Sequence, residues 1–152
     1  MLAPTFHHVG VQTTDLANSV RWYQDFFGAS RSWSLTTFSD LTRSRLPGIV
    51  SLTEVVLGDV RIHLFERPGQ EAPMPGTSVV QFQHVCLSVD SRDELREWHE
   101  RWTQLHRSGR YHFRFAEPAT DIVEDDDGTR SFYALDVNGL EFEFTNVPNG
   151  VR

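Results

Sequence analysis

The sequence predicts an α+β protein: two βαβββ modules forming a curved mixed sheet around a concavity, with the helices outside. Three observations predict it. The chain repeats itself, Phe6-His7-His8-Val9-Gly10-Val11 returning as Phe82-Gln83-His84-Val85-Cys86-Leu87, so that both copies read Phe-x-His-Val-x-(Leu/Val). Each copy is followed by an amphipathic helix pattern and then by strand-like segments. Between them, Arg67 to Ser78 holds three prolines, two glycines and little that could pack, which marks a linker. The expected boundaries are residues 1–66 for the first module, 67–78 for the linker, 79–147 for the second module and 148–152 for a polar tail, one structural domain overall.

In the first module, Thr5 to Thr13 alternates as a strand does. Asp15 opens a helix, with Leu16, Val20, Tyr23 and Phe27 as its apolar stripe and Gly28 placed to end it. Ser30 to Phe38 is expected as a strand and Asp40 to Gly48 as a loop ending at Pro47-Gly48. Ile49 to Leu57 and Val60 to Glu66 form a hairpin around Gly58-Asp59. In the second module, Val80 to Val89 is the repeated strand. Ser91 and Glu94 form a capping box for a helix carrying Leu95, Trp98, Trp102 and Leu105 and ending at Gly109. Tyr111 to Glu117 is expected as a strand, Glu124 to Gly128 as a turn, and Ser131 to Asp136 and Leu140 to Asn146 as the last strands.

Composition narrows the function classes. With 14 basic against 21 acidic residues the net charge is −7, and no Lys/Arg stripe is present to bind nucleic acid or an anionic membrane. The single cysteine, Cys86, excludes an internal disulfide and fits a reducing compartment. No N-terminal apolar run has the length of a signal peptide or a membrane span, so a cytoplasmic location is expected.

Strand alternation then assigns faces. Ile62 and Leu64 share one face of their strand, and Arg61, His63 and Phe65 the other. Phe142 and Phe144 oppose Glu141 and Glu143; Val85 and Leu87 oppose His84, Cys86 and Ser88. With the apolar faces under the helices, His8, His63, His84 and Glu143 project inward from four strands. His8 and His63 are 55 residues apart and His84 and Glu143 are 59 apart, so each module contributes a ligand-type side chain from its first and its last strand. Three imidazoles and a carboxylate suit zinc, iron, nickel, cobalt or manganese. Glu141 shares the face of Glu143 and is a candidate to support it. His7, on the helix-facing side by this alternation, is expected to be structural, as are His99, His106 and His112.

At these residues the chain resembles the vicinal oxygen chelate superfamily, which holds glyoxalase I, the fosfomycin- and bleomycin-resistance proteins, methylmalonyl-CoA epimerase and the ring-cleaving extradiol dioxygenases. The resemblance rests on His8-Val9-Gly10-Val11 with Asp15-Leu16 and Trp22-Tyr23, on Gly58-Asp59-Val60-Arg61-Ile62-His63-Leu64, on His84-Val85, and on Phe132-Tyr133-x-x-Asp136-Val137-Asn138-Gly139-x-x-x-Glu143. It implies a divalent metal held by His8, His63, His84 and Glu143 and a small-molecule substrate bound through one or two oxygens, with a homodimer as the usual assembly. His63 stands where glyoxalases and epimerases usually carry Glu or Gln, which removes a glyoxalase's proton-shuttling carboxylate. Phe144 and Thr145 after Glu143 depart from the fosfomycin-resistance pattern. His8, His84 and Glu143 resemble the two-His-one-Glu set of the extradiol enzymes, with Tyr133 ten residues before Glu143 and His63 as acid–base. The resemblance therefore implies a metal-dependent enzyme, leaning to an Fe(II) dioxygenase of a small aromatic or diol-like metabolite, with His63 and Tyr133 as catalytic residues. The alternatives are a glyoxalase- or epimerase-like lyase or isomerase using the metal as Lewis acid, and an antibiotic- or metabolite-binding resistance protein.

Overall fold

A computed structural model of the chain describes residues 4–70 and 80–148. Most of the expected linker, residues 71–78, and residues 149–152 of the tail lie outside the described residues. The chain divides into two compact units, Met1–Pro73 and Met74–Arg152.

The first unit runs β1 (Val9–Thr13), α1 (Leu16–Phe27), β2 (Ser30–Leu35), α2 (Asp40–Arg45), β3 (Ser51–Leu57) and β4 (Val60–Glu66). Its sheet order is β1-β4-β3-β2, with β1 parallel to β4 and the other pairs antiparallel. The second unit runs β5 (His84–Ser88), α3 (Arg92–Arg107), β6 (Val123–Glu124), β7 (Arg130–Leu135) and β8 (Glu141–Asn146). Its order, β5-β8-β7-β6, repeats the first, again with the outer pair β5 and β8 parallel. The internal repeat in the sequence is thus a repeat of topology.

Local chemistry sets the helix ends. The Asp15 side chain accepts from the Asn18 amide at 3.0 Å, and Glu66 Oε1 accepts the Leu16 amide, so two of the helix's open donors are met. Gly28, at φ 68°, donates to the Gln24 carbonyl and turns the chain out of α1. At α3 the Glu94 amide donates to Ser91 Oγ at 3.0 Å, while the Glu94 carboxylate reaches back one residue further than a capping box requires, to the Asp90 amide.

Each helix covers one face of its own sheet. In the first unit Trp22, Tyr23 and Phe26 are sealed against Val55, Ile62 and Leu64. In the second, Leu95 and Trp102 lie over Phe132, Phe142 and Phe144, and the Phe132 and Phe144 rings stack at 4.9 Å and 5°. The buried stripe of α1 is rotated from the expected one. Trp22 and Phe26 take the centre, and Leu16, Val20 and Phe27 are only half-buried at its edge. The larger rings bury more apolar area and so fix the helix orientation.

Four expected elements differ. Asp40–Arg45 is a short helix, not a loop, because Ser39 caps it by accepting the Thr42 amide at 3.2 Å. The strand expected over Tyr111 to Glu117 is irregular, and the edge strand beside β7 is only Val123–Glu124. One aromatic residue of that segment is spent on α3: the Phe113 ring sits 4.7 Å from His106 and 5.8 Å from Trp102. Pro118 then removes an amide donor just beyond it. The strands expected to begin at Thr5 and Val80 begin instead at Val9 and His84.

Candidate metal centre

In the first unit the site grows from the β3–β4 hairpin. A two-residue turn at Gly58-Asp59 fixes the register so that Glu54 lies opposite His63, while parallel pairing of β1 sets Gly10 beside His63. Glu54 is wholly buried, and His63 is 7% exposed. Glu54 Oε2 meets His63 Nε2 at 2.9 Å, and Glu54 Oε1 accepts from Arg61 Nη1 at 3.0 Å. Burial alone would raise the Glu54 carboxyl. The hydrogen bonds from His63 and Ser32, with the charges of Arg61 and His63, outweigh it and hold the group below the usual carboxylate range. Glu54 is therefore ionised at neutral pH, and an ionised carboxylate can only accept.

The His8 ring stacks on the His63 ring at 3.7 Å and 9°. His7 lies edge-on to both, with its Nδ1 2.8 Å from His8 Nδ1. Donor nitrogens of His7, His8 and His63 all fall within 4.8 Å of one another, the one such group of His, Cys, Asp or Glu among the described residues. His7 does not face the helix as the alternation predicted. It and His8 precede β1, where no pleat dictates side-chain direction. Burial, followed by the His63 and His7 rings, lowers the His8 pKa against a smaller opposing pull from Glu54, so its imidazole is neutral and able to ligate at neutral pH. Trp33 and Phe65 flank His63, with ring centroids at 5.1 and 6.2 Å.

In the second unit, β8 buries Phe142 and Phe144 and turns Glu141 and Glu143 to the other face. His84 Nε2 lies 3.0 Å from Glu143 Oε2, and His84 Nδ1 lies 3.9 Å from Glu141 Oε1. Tyr133 is opposite Glu143 in the β7–β8 register and hydrogen-bonds to it. Burial and the Glu143 carboxylate raise the Tyr133 pKa above 10.0, so the phenol stays protonated and donates. Burial also raises Glu141, with the charges of Glu143 and Glu117 adding to it and His84 opposing.

In the second unit one pair of donors has the spacing that a divalent cation would need. Two ligands about 2.1 Å from an ion and at a right angle to each other stand about 3 Å apart, and His84 Nε2 and Glu143 Oε2 have that spacing. Imidazole and carboxylate together suit first-row metals. His8 and His63 are stacked face to face, so their in-plane lone pairs run side by side and a ring must rotate before both could reach one ion. His99 and His106 are structural: His99 Nε2 lies 3.0 Å from the Thr120 carbonyl oxygen, and the His106 ring stacks on Trp102 at 4.6 Å. A cavity of about 290 Å³ lined by Leu16, Ala17, Val20, Arg31, Thr53 and Glu66 holds none of the predicted ligands, and its Glu66 is engaged with the Leu16 amide and Ser51. Glu54 is the buried partner of His63 that sequence reasoning missed. Counting back from the Gly58-Asp59 turn would have placed it across from His63.

Solved structures of low sequence identity share the fold. A glyoxalase/bleomycin resistance protein/dioxygenase domain from Frankia sp. EAN1pec is 20% identical, with a TM-score of 0.72, over 98% of this chain and 96% of that one. The genomically encoded fosfomycin resistance protein FosX from Listeria monocytogenes, in a mutant complexed with Mn(II) and 1S,2S-dihydroxypropylphosphonic acid, is 17% identical with a TM-score of 0.65, over 97% and 95% of the two chains. Lactoylglutathione lyase from Agrobacterium tumefaciens is 21% identical with a TM-score of 0.59, over 95% and 94%. No curated protein matches the chain at significant similarity. The family model of the Glyoxalase/Bleomycin resistance protein/Dioxygenase superfamily matches residues 5–144, and the chain belongs to that superfamily.

Proposed function

We propose that the protein is a metal-dependent enzyme in which His8, His84 and Glu143 hold a divalent cation and His63 moves a proton. Fe(II) is the first candidate, with Zn, Ni, Co or Mn as the others, and the reaction is dioxygenation of a small aromatic or diol-like metabolite. The observation that carries this reading is the face-to-face stack of His63 on His8, together with the grip of Glu54 on His63 Nε2. It favours a His63 that stands beside the ligand set, where an imidazole can take a substrate hydroxyl proton. When bound, the metal supplies Lewis-acid activation of the substrate oxygens and, as Fe(II), redox chemistry with dioxygen. The protein's own residues do the rest. Tyr133 donates to Glu143 and orients its carboxylate, and Trp33 and Phe65 give His63 an apolar surround. Among the described residues no helix is long and apolar enough to cross a membrane. A cytoplasmic homodimer completes the proposal.

A second reading has its own support. The donor atoms of His8 and His63 lie within 4.8 Å, so rotation of the His63 ring would make it a fourth ligand. That set suits a lyase or isomerase using the metal only as a Lewis acid. One experiment separates the two: metal analysis of protein purified without chelator, with oxygen uptake measured in the presence of catechols. Bound iron and oxygen consumption are expected; bound zinc, nickel or cobalt without uptake rejects the dioxygenase. His63→Ala is expected to keep the metal and lose turnover, whereas loss of the metal identifies a fourth ligand. A protein that takes up no metal but binds small aromatics would instead be a resistance-type binder.

A further inference from the structure

Two charged groups of the His63 environment stand outside the proposed ligand set, Glu54 and Arg61. A carboxylate wholly removed from water is costly unless each oxygen is matched by a donor. Here each is: Oε2 meets His63 Nε2 at 2.9 Å and Oε1 takes Arg61 Nη1 at 3.0 Å. The Arg61 side chain is 49% exposed while that of Glu54 is 0% exposed, so the arginine is an anchor reaching in from the surface and the carboxylate is the fixed point. The hairpin register places Glu54 and His63 directly across from each other, so their side chains leave the sheet on the same face as close neighbours.

We propose that Glu54 is a positioning residue that fixes the tautomer of His63, keeping the proton on Nε2 and presenting Nδ1 as the nitrogen that works. A neutral imidazole has one donor and one acceptor nitrogen, and the partner of one decides the role of the other. An ionised Glu54 offers no proton, so a His63 protonated on Nδ1 would set a nitrogen lone pair against a buried carboxylate. Nδ1 is thus the nitrogen left to accept a substrate proton or, after ring rotation, to ligate. Carboxylate partners of this kind fix ring orientation and raise basicity in both roles. The inference builds on the proposed function in taking His63 as a working residue, but the tautomer itself is measurable without metal or substrate.

The test is a long-range proton–nitrogen-15 NMR spectrum of the imidazoles in the metal-stripped full chain, with His63 assigned by its absence from His63→Gln. Expected in the wild type is a protonated Nε2 and an unprotonated Nδ1. Glu54→Gln replaces one acceptor oxygen by an NH2 that cannot face both His63 Nε2–H and Arg61, so it is expected to move proton population to Nδ1. Arg61→Ala leaves the carboxylate on His63 and is expected to leave the tautomer unchanged. A wild-type His63 protonated on Nδ1, or a Glu54→Gln spectrum identical to wild type, overturns the assignment. If Glu54→Gln fails to fold, the wild-type and Arg61→Ala spectra still decide. A wild type with the expected tautomer that binds no metal removes the proposed function and leaves the role of Glu54 standing.

Discussion

Adjacent residues of β8 are predicted to fail in opposite ways. Phe144 is 1% exposed, with its ring stacked on Phe132 at 4.9 Å and on Trp98 at 5.5 Å. Replacing it by alanine forfeits roughly 2–3 kcal/mol of apolar burial. The cavity left between two flat rings raises the total to roughly 3–5 kcal/mol, since stacked aromatics cannot collapse into the gap without losing their own contacts. For a chain of this size that is a large share of a total stability of about 5–15 kcal/mol. Glu143, one residue earlier, points to the other face, and its losses are hydrogen bonds to His84 and Tyr133 near solvent. Glu143→Ala is therefore expected to cost about 1 kcal/mol or less while abolishing metal retention. The assay is equilibrium urea unfolding of both variants without metal, followed by tryptophan fluorescence, since Trp98 and Trp102 both belong to the second unit. Equal losses in the two variants, or a Phe144→Ala loss under about 1 kcal/mol, would refute the assignment of the two faces of β8.

Three further outcomes follow from single contacts. The Glu54 pKa is lowered below 4.5 in the folded protein, so the unfolded chain takes up this proton first on acidification. The stability that Glu54 ionisation contributes is thus fully present above about pH 4.5 and lost as pH falls toward the folded value. The stability difference between wild type and Glu54→Gln should shrink through that window, and a difference independent of pH contradicts it. Gly139 has φ 91°, and a Cβ there would collide with the Phe115 ring, so Gly139→Ala should lower the thermal midpoint by several degrees through a cost of about 1–3 kcal/mol. Asp15→Ala should cost about 1 kcal/mol, because it strands the Asn18 amide at the start of α1; a loss within ±0.2 kcal/mol of zero would show the cap to be idle.

The parts of this molecule that were readable from the chain are those governed by short-range periodicity. Phe-x-His-Val recurring before an amphipathic segment identified equivalent first strands. Alternation along 140–146 separated Phe142 and Phe144 from Glu141 and Glu143, as their burial bears out. Tyr133 was singled out by its ten-residue spacing before Glu143 in the resemblance to the extradiol enzymes, and the β7–β8 register places the two residues across from each other. What was hidden depends on neighbours. His7 was assigned by a pleat that begins only at Val9. Tyr111 to Glu117 has strand-like residues, but Phe113 finds its partners in Trp102 and His106 on a helix and leaves the sheet edge to Val123–Glu124. Glu54, in a strand otherwise apolar or small, became interpretable only with its cross-strand partner in view.

The central claim is that His8, His84 and Glu143 together hold the metal on which the chemistry depends. Its most direct test is metal content, by mass spectrometry, of wild type, His8→Ala, His84→Ala and Glu143→Ala purified side by side without chelator. The account predicts stoichiometric divalent metal in the wild type and loss of most of it in each variant. A wild type free of metal, or variants that retain it fully, would contradict the claim.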